Sequence, residues 1–223
     1  MQYSFFIRGQ YPKGEDMVAR FDDLTELSRL ADRLGFTGIC AGMHYAAHPL
    51  QMLQQIPFLC RIAAEAPNCR MIPGIVLLSL HKPLDIAEQL ATLDVMTGGK
   101  LVFGAGLGYR EVEFNGFGTS QAERGPRLEE NLDAVLRLWQ EDNVSIKGSH
   151  FELKDVTLSI KPVQKPNPFG SALMRMTPYA VQLDAAILGS LIPISAWQPS
   201  NASSISTGAS LTDSTNPSPK SSH

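Results

Sequence analysis

Short apolar runs of strand length alternate with amphipathic stretches of helical spacing from Tyr3 to Trp139, and no other feature narrows the possible folds as much. Residues 3–7 are apolar and aromatic, as a buried strand requires. Phe21, Leu24, Leu27, Leu30, Ala31 and Leu34 then recur at the spacing of one helix face. Gly35 supplies a C-terminal stop, residues 37–41 read as a second strand ending at Gly42, and residues 51–66 return to helical spacing, interrupted only by Pro57. Residues 70–78 form the most strand-like run in the chain, and Pro83 opens a helix that runs to Met96. Thr97-Gly98-Gly99-Lys100 turns into a strand at 101–104, a glycine-rich loop leads on to Ser120, and residues 127–139 give another amphipathic helix. Four strand–helix units in order predict parallel strands joined by right-handed crossovers, in a (β/α)8 barrel or an open doubly wound sheet. A complete barrel takes about 250 residues. This pattern stops after four units and a polar, hairpin-like stretch at 144–160.

The C-terminal quarter of the chain differs in kind. Residues 169–223 hold 12 of the 19 serines but only four of the 41 charged residues, namely Arg175, Asp184, Asp213 and Lys220. The Ser/Thr/Asn-rich stretch from 200 onward has little charge and no period and reads as coil, while the apolar run at 180–197 suits a short helix ending near Gly189. The chain as a whole, 43% hydrophobic and 18% charged with a net charge of −3, is neither wholly disordered nor a polycation for phosphate backbones, so no nucleic-acid partner is expected. Its best apolar run, Met71 to Leu80, falls short of the ~20 residues of a membrane span and contains Pro73, Gly74 and Ser79. The N-terminus lacks the order of a signal peptide, and Cys40, Cys60 and Cys69 are odd in number with no C-x-x-C pair, which fits a reducing cytoplasm.

The run L-D-V-M-T-G-G-K-L-V-F-G-A-G-L-G-Y-R at 93–110 resembles the bacterial-luciferase-like family of flavin-dependent monooxygenases. The resemblance continues through Glu113-Phe114, Phe117-Gly118, the Arg-Leu-Glu-Glu of the helix after Arg124, Gly148-x-His150-Phe151 and Lys161-Pro162-Val163-Gln164-Lys165-Pro166. Upstream, Gly35-Phe36-Thr37-Gly38-Ile39 and the helix from Pro83 look like the family too, so about 168 residues are covered. The resemblance implies a (β/α)8 TIM-barrel type of fold, incomplete here. In the family the Lys-Pro-x-Pro segment leads into a strand beginning Ile-Trp-x-Gly, where this chain reads Phe169-Gly170-Ser171. Reading each codon one base early permits I-W-I-G-A-D-A-D-D-A-V-R-R-A-A-R from Phe169 onward, which looks like the family's next strand and helix. The expected organisation is therefore an N-terminal part of the barrel at 1–168 and an out-of-frame, largely disordered tail at 169–223.

The family implies reduced FMN as cofactor, or the deazaflavin F420 in one branch that transfers hydride. The cofactor carries the chemistry while the protein supplies position and dryness. Substrate and O₂ enter at the C-terminal ends of the strands. A small organic substrate, a flavin reductase supplying the reduced flavin and a homodimeric parent are the implied partners; a non-catalytic fragment is the alternative for this chain. His44, in Gly42-Met43-His44-Tyr45, lies where family members often carry an acidic residue followed by His, and an imidazole there gives or takes a proton near neutral pH; an ordinary loop histidine is the competing reading. His44 and His48 are four apart, but Pro49 and the missing Glu of H-E-x-x-H argue against a metal. The resemblance places Val76 and Leu77 under the flavin ring, with an ordinary buried strand as the alternative. It passes Gly106, Leu107 and Gly108 along the cofactor and lets Tyr109 and Arg110 reach phosphate or substrate; otherwise Arg110 makes a surface ion pair with Glu111 or Glu113. Gly104-x-Gly106-x-Gly108 lacks dinucleotide spacing, and Glu129, Glu130, Asp133 and Arg137 read as a solvated helix face.

Overall fold

A computed structural model describes residues 3–165, together with the backbone of 175–177 and 180–182. Strand β1 (Ser4–Ile7) pairs in parallel with β2 (Gly38–Ala41), which pairs in parallel with β3 (Arg70–Pro73). Each strand lies beside its predecessor, and the segment at 101–105 bridges to the third unit, as in a barrel; in a doubly wound sheet of order 3-2-1-4 the fourth strand lies beside the first instead. The side chains alternate between two environments. Ile7, Ile39, Ala41, Met71, Leu101, Phe103 and Ala105 join one core with the helices, while Cys40, Ile72 and Val102 cluster on the opposite face.

The helices follow local chemistry closely. Helix α1 (Met17–Arg33) starts four residues before the first expected apolar position, because Asp16 caps it by accepting from the N–H groups of Val18 and Ala19. It ends at Gly35, whose φ of +81° only glycine adopts without strain. Helix α2 (Gln55–Ala63) is shorter than the expected 51–66, since Gln51 is instead bridged to Tyr11; Pro57 sits in its first turn, where no N–H is needed. Helix α3 (Pro83–Met96) has the expected bounds, with Pro83 at its first position. Helix α4 (Glu111–Gly116) interrupts the expected glycine-rich loop, and α5 (Arg124–Gln140) begins three residues ahead of the spacing at 127.

Two expected strands are cut short, and both for one reason. The apolar run at 70–78 leaves strand geometry after Pro73 and closes into a 3₁₀ turn at Leu78–Leu80. The segment at 101–104 makes isolated bridges, Met71 to Leu101 and Val76 to Ala105, instead of a continuous strand. Its bonds lie on either side of Pro73: Met71 N–H to Lys100 O and Val102 N–H to Met71 O, both 2.9 Å, then Val76 N–H to Gly104 O, 2.8 Å, and Gly106 N–H to Val76 O, 2.9 Å. Proline offers no N–H, so the ladder loses a rung there.

The stretch at 144–160 is the expected hairpin, with β4 (Val144–Lys147) antiparallel to β5 (Glu152–Val156). The segment after it is pinned by Asp94, fully buried at the end of α3, whose carboxylate accepts from Val163 N–H (2.7 Å), Gln164 N–H (3.2 Å), Gln164 Nε2 (2.5 Å) and Leu101 N–H (3.4 Å). Ala180–Gln182, where a helix was expected to begin, is a strand (β7) antiparallel to Arg175–Thr177 (β6). The remainder of the expected helix and of the expected tail at 169–223 lies outside the described residues. Among the described residues β1 pairs with β2 alone, and Phe6 in it and Tyr3 before it, with Leu27 and Leu30 on α1 and Leu34 at its C-cap, stay exposed.

Candidate functional site

The C-terminal ends of the strands carry a row of glycines. Gly42, Gly74 and Gly104 continue the alternation of Cys40, Ile72 and Val102, on the sheet face turned away from the helices. Each lacks room for a side chain. A Cβ on Gly42 would come within 3.1 Å of Phe6, one on Gly74 would strike Cys40 Sγ, and one on Gly104 would come within 3.2 Å of Ile75. The Gly74–Ile75 peptide is cis, and Gln55 Nε2 donates to the Ile75 carbonyl at 3.2 Å. The surface above this row is therefore backbone, flanked by Phe6 and the half-buried Ile75.

His44 stands at the rim. Its Nδ1 lies 3.1 Å from Glu113 Oε1, and that oxygen also accepts from Tyr45 N–H at 3.0 Å and from Arg110 Nη1 at 3.4 Å. An oxygen already accepting two N–H bonds is an acceptor for the third, so the His44 proton is on Nδ1. The bare Nε2 then accepts from the Tyr109 hydroxyl at 3.3 Å, across an edge-to-face ring contact. The Glu113 side chain is 0% exposed and its second oxygen, Oε2, has no hydrogen-bond partner. Met43, at the position of the family's acidic residue, is buried; the carboxylate beside His44 comes from α4 instead.

Behind His44 stands a cluster of rings. The Tyr45 hydroxyl donates to His81 Nε2 at 3.1 Å, and Phe117 packs against both rings, at 4.6 and 5.4 Å between centroids. Burial pulls His81 down to about 4, against a small opposing pull from Asp85, so the ring is neutral and can accept. Burial, with Asp85 and Glu113 adding to it, pushes Tyr45 up to about 12. The turn below is held by Asn131, fully buried, which donates to Leu78 O (2.7 Å) and His81 O (3.0 Å) and accepts from His150 Nε2 (2.9 Å).

The residues singled out in the sequence fall into two groups. His44 and Tyr109 meet, and Tyr109 is 65% exposed. Val76 and Leu77 do not reach the open face. Val76 packs with the helices and Leu77 with Leu80 and Phe114, leaving Ile75 as the side chain beside the glycine row. Gly106 is required by Ile75, which occupies the place of a Cβ, and its N–H is bound to Val76 O. Leu107 O accepts from Ser79 Oγ, Gly108 O from Arg124, and Tyr109 O from Gln121, so the loop is fastened along its length. Arg110 does pair with Glu113, but not on the surface. Its guanidinium also donates to Tyr45 O (2.7 Å) and Ala46 O (3.2 Å), clamping the loop that carries His44. Sequence reasoning missed Glu113, Tyr45, His81 and Asn131 as parts of the site. Their partners lie 36 to 68 residues away for Tyr45 and 53 and 50 for Asn131, beyond any local pattern.

The family model described as luciferase-like monooxygenase matches residues 1–195, which carries the match past Pro168. An FMNH₂-dependent dimethylsulfone monooxygenase of Pseudomonas putida is 29% identical over 148 residues, covering 64% of this chain and 40% of that protein. An F420-dependent glucose-6-phosphate dehydrogenase of Microbacterium testaceum is 30% identical over 155 residues, covering 65% of this chain and 45% of that protein. Among solved structures, the monooxygenase RslO1 of Streptomyces bottropensis matches with a TM-score of 0.68 at 29% identity, over 78% of this chain and 52% of that one. The chain spans less than half the length of those two relatives. With the strand order, this gives the fold as an incomplete barrel of TIM type.

Proposed function

Because the chain belongs to the luciferase-like monooxygenase family, we propose that it carries the first half of a site in which reduced FMN and O₂ oxidise a small organic substrate. The observation that carries this reading is the imidazole of His44, held by a buried carboxylate, at the edge of a floor made of glycine backbone. The residues present fit a flat ring: Gly42, Gly74 and Gly104 leave the floor without side chains, and the neighbouring Phe6 and Ile75 are apolar. Reduced flavin, when bound, supplies the electrons that activate O₂. The chain's own residues do the rest. Ile75 and the backbone at 106–108 would border a bound ring, and Tyr109 would lie over the exposed side above His44. The packed rings of Tyr45, His81 and Phe117 back the loop that carries His44. His44 Nε2, bare in the resting state, takes a proton from the reacting centre, directly or through the Tyr109 hydroxyl, and returns it once the imidazolium has formed. Arg110 acts by holding residues 45–46 and Glu113, rather than by reaching phosphate.

The parent protein is proposed to receive reduced flavin from a separate reductase, to assemble as a homodimer and to work in the cytoplasm; no helix among the described residues is long and apolar enough to cross a membrane. Its barrel boundary is proposed at Pro168, and the DNA across codons 160 to 230 tests this. Codon choice compatible with the alternative peptide after Pro168 is expected, and incompatible codons end the proposal. A second reading, hydride transfer with F420, is favoured by the 30% identity to the F420-dependent dehydrogenase. Anaerobic titration of the protein with reduced FMN and reduced F420 separates the two. Preferential binding of reduced FMN, with a loss of O₂-dependent turnover on the order of 10²-fold or more in His44→Gln, is expected; tighter binding of reduced F420 would overturn the monooxygenase reading.

A further inference from the structure

A buried carboxylate with an idle oxygen needs a reason. Desolvating a charge is costly unless hydrogen bonds compensate, and structural carboxylates use both oxygens for that purpose, as Asp94 does here with four donors. Glu113 does otherwise. All three of its donors, the Nδ1–H of His44, Tyr45 N–H and Arg110, converge on Oε1, while Oε2 is buried without a partner. One of the three comes from an imidazole, whose proton can sit on either ring nitrogen. A histidine has two neutral tautomers, and whichever nitrogen is bound by an acceptor keeps the proton.

We infer that Glu113 is a positioning residue: its carboxylate fixes His44 as the Nδ1–H tautomer and turns the bare Nε2 toward the Tyr109 hydroxyl and the open strand ends. The inference rests on the reading of His44 as proton carrier and adds what prepares it. The resting ring is neutral at Nε2, so that nitrogen can accept; once it has accepted, the imidazolium lies against a carboxylate whose charge is not shared with water. Arg110 and Tyr45 N–H hold the acceptor oxygen in place, so the ring cannot turn over without breaking both of its own bonds, to Glu113 and to Tyr109. The carboxylate comes from α4, far along the chain from His44, and so fixes the ring only when the 107–118 loop is seated.

Ring-nitrogen NMR on the 223-residue chain labelled with ¹⁵N-histidine tests this without any flavin. The His44 signals are identified by their loss in His44→Gln. A protonated, pyrrole-type Nδ1 and a bare, pyridine-type Nε2 are expected in the parent chain, and a protonated Nε2 there overturns the inference. Glu113→Ala removes the acceptor, and loss of the pyrrole-type Nδ1 signal is expected, with the other histidines unmoved. An unchanged His44 pattern in that variant also overturns it. Glu113→Gln keeps an acceptor oxygen and is expected to retain the parent pattern; if Glu113→Ala does not fold, the parent spectrum and Glu113→Gln still decide. Failure of the functional reading looks different: the tautomer is as stated, yet His44→Gln turns over at the parent rate.

Discussion

Asp94 and Glu113 are the buried carboxylates among the described residues, and they lie at opposite ends of the sheet. Asp94 is at the N-terminal end, where α3 turns into the segment at Leu101, and it binds only neutral donors, two on each oxygen. Glu113 is beyond the C-terminal ends, and it binds a histidine and an arginine with one oxygen and nothing with the other. The same group, equally buried, is saturated at one end and left incomplete at the other. In barrels of this type the N-terminal face serves stability and the C-terminal face serves chemistry. The two carboxylates show what that division means in bonds: one holds a fixed segment with both oxygens, whereas the other gives one oxygen to a histidine ring and holds that ring in place.

The largest effect is expected at Asp94. Asp94→Ala strips the partners from three backbone N–H groups and from Gln164, and releases the chain after Ser159 from α3. Removing one side of a buried, charged hydrogen-bond set costs roughly 3–5 kcal/mol. Urea denaturation against the parent chain measures this, and hydrogen exchange at Val163 and Gln164 localises it. A loss below about 1 kcal/mol would mean that the N-terminal end is held by something else, and the contrast would fail.

Each end was legible only in part. At the N-terminal end Gly98-Gly99, at positive φ after α3, is a local signal, but Val163 and Gln164 reach Asp94 from 69 and 70 residues away and were marked only by the family resemblance. The C-terminal end is built from crossings. Arg110 and Glu113 are three apart, and sequence reads them as a surface pair; only the arrival of residues 44–46 from the second unit buries the carboxylate. Val76 and Leu77 were placed at the cofactor by the family resemblance; beyond Pro73, where the ladder is broken, the chain turns both side chains inward. His150 was marked by resemblance alone, and its bond to Asn131 shows why it is there.

Acid sharpens the comparison next, because His81 titrates at the C-terminal end alone. Its folded value, about 4, lies below the ordinary 6.5, so the unfolded chain binds the proton first. Stability is then full above about pH 6.5, falls as pH drops, and the loss is complete near pH 4. At 1.36 kcal/mol per unit the whole shift amounts to about 3 kcal/mol. His150 is shifted in the same direction and adds to the slope. His81→Gln retains an acceptor for the Tyr45 hydroxyl and is expected to flatten most of the fall between pH 6.5 and 4.5, in urea midpoints read by near-UV circular dichroism. An unchanged slope in that variant would place the acid sensitivity elsewhere.

The smallest effect is the most discriminating, since it changes one atom at each end. Asp94→Asn puts an amide NH₂ against N–H donors whichever way the side chain turns, because both carboxylate oxygens are engaged. Two bonds are lost and two donors face each other, a cost of about 2 kcal/mol. Glu113→Gln can keep its oxygen at the Oε1 position, with the bonds from His44, Tyr45 and Arg110, and place its NH₂ where Oε2 has no partner. What it loses is charge assistance from Arg110, and what it leaves is an NH₂ with two unpaired N–H groups where an oxygen was already unpaired, together about 1 kcal/mol. Denaturation of both variants in one urea series reads the gap directly, provided the slopes agree. Equal costs would mean that Oε2 is satisfied in solution, by water or by a shifted side chain, and that the carboxylate beside His44 is as saturated as the one at the other end of the sheet.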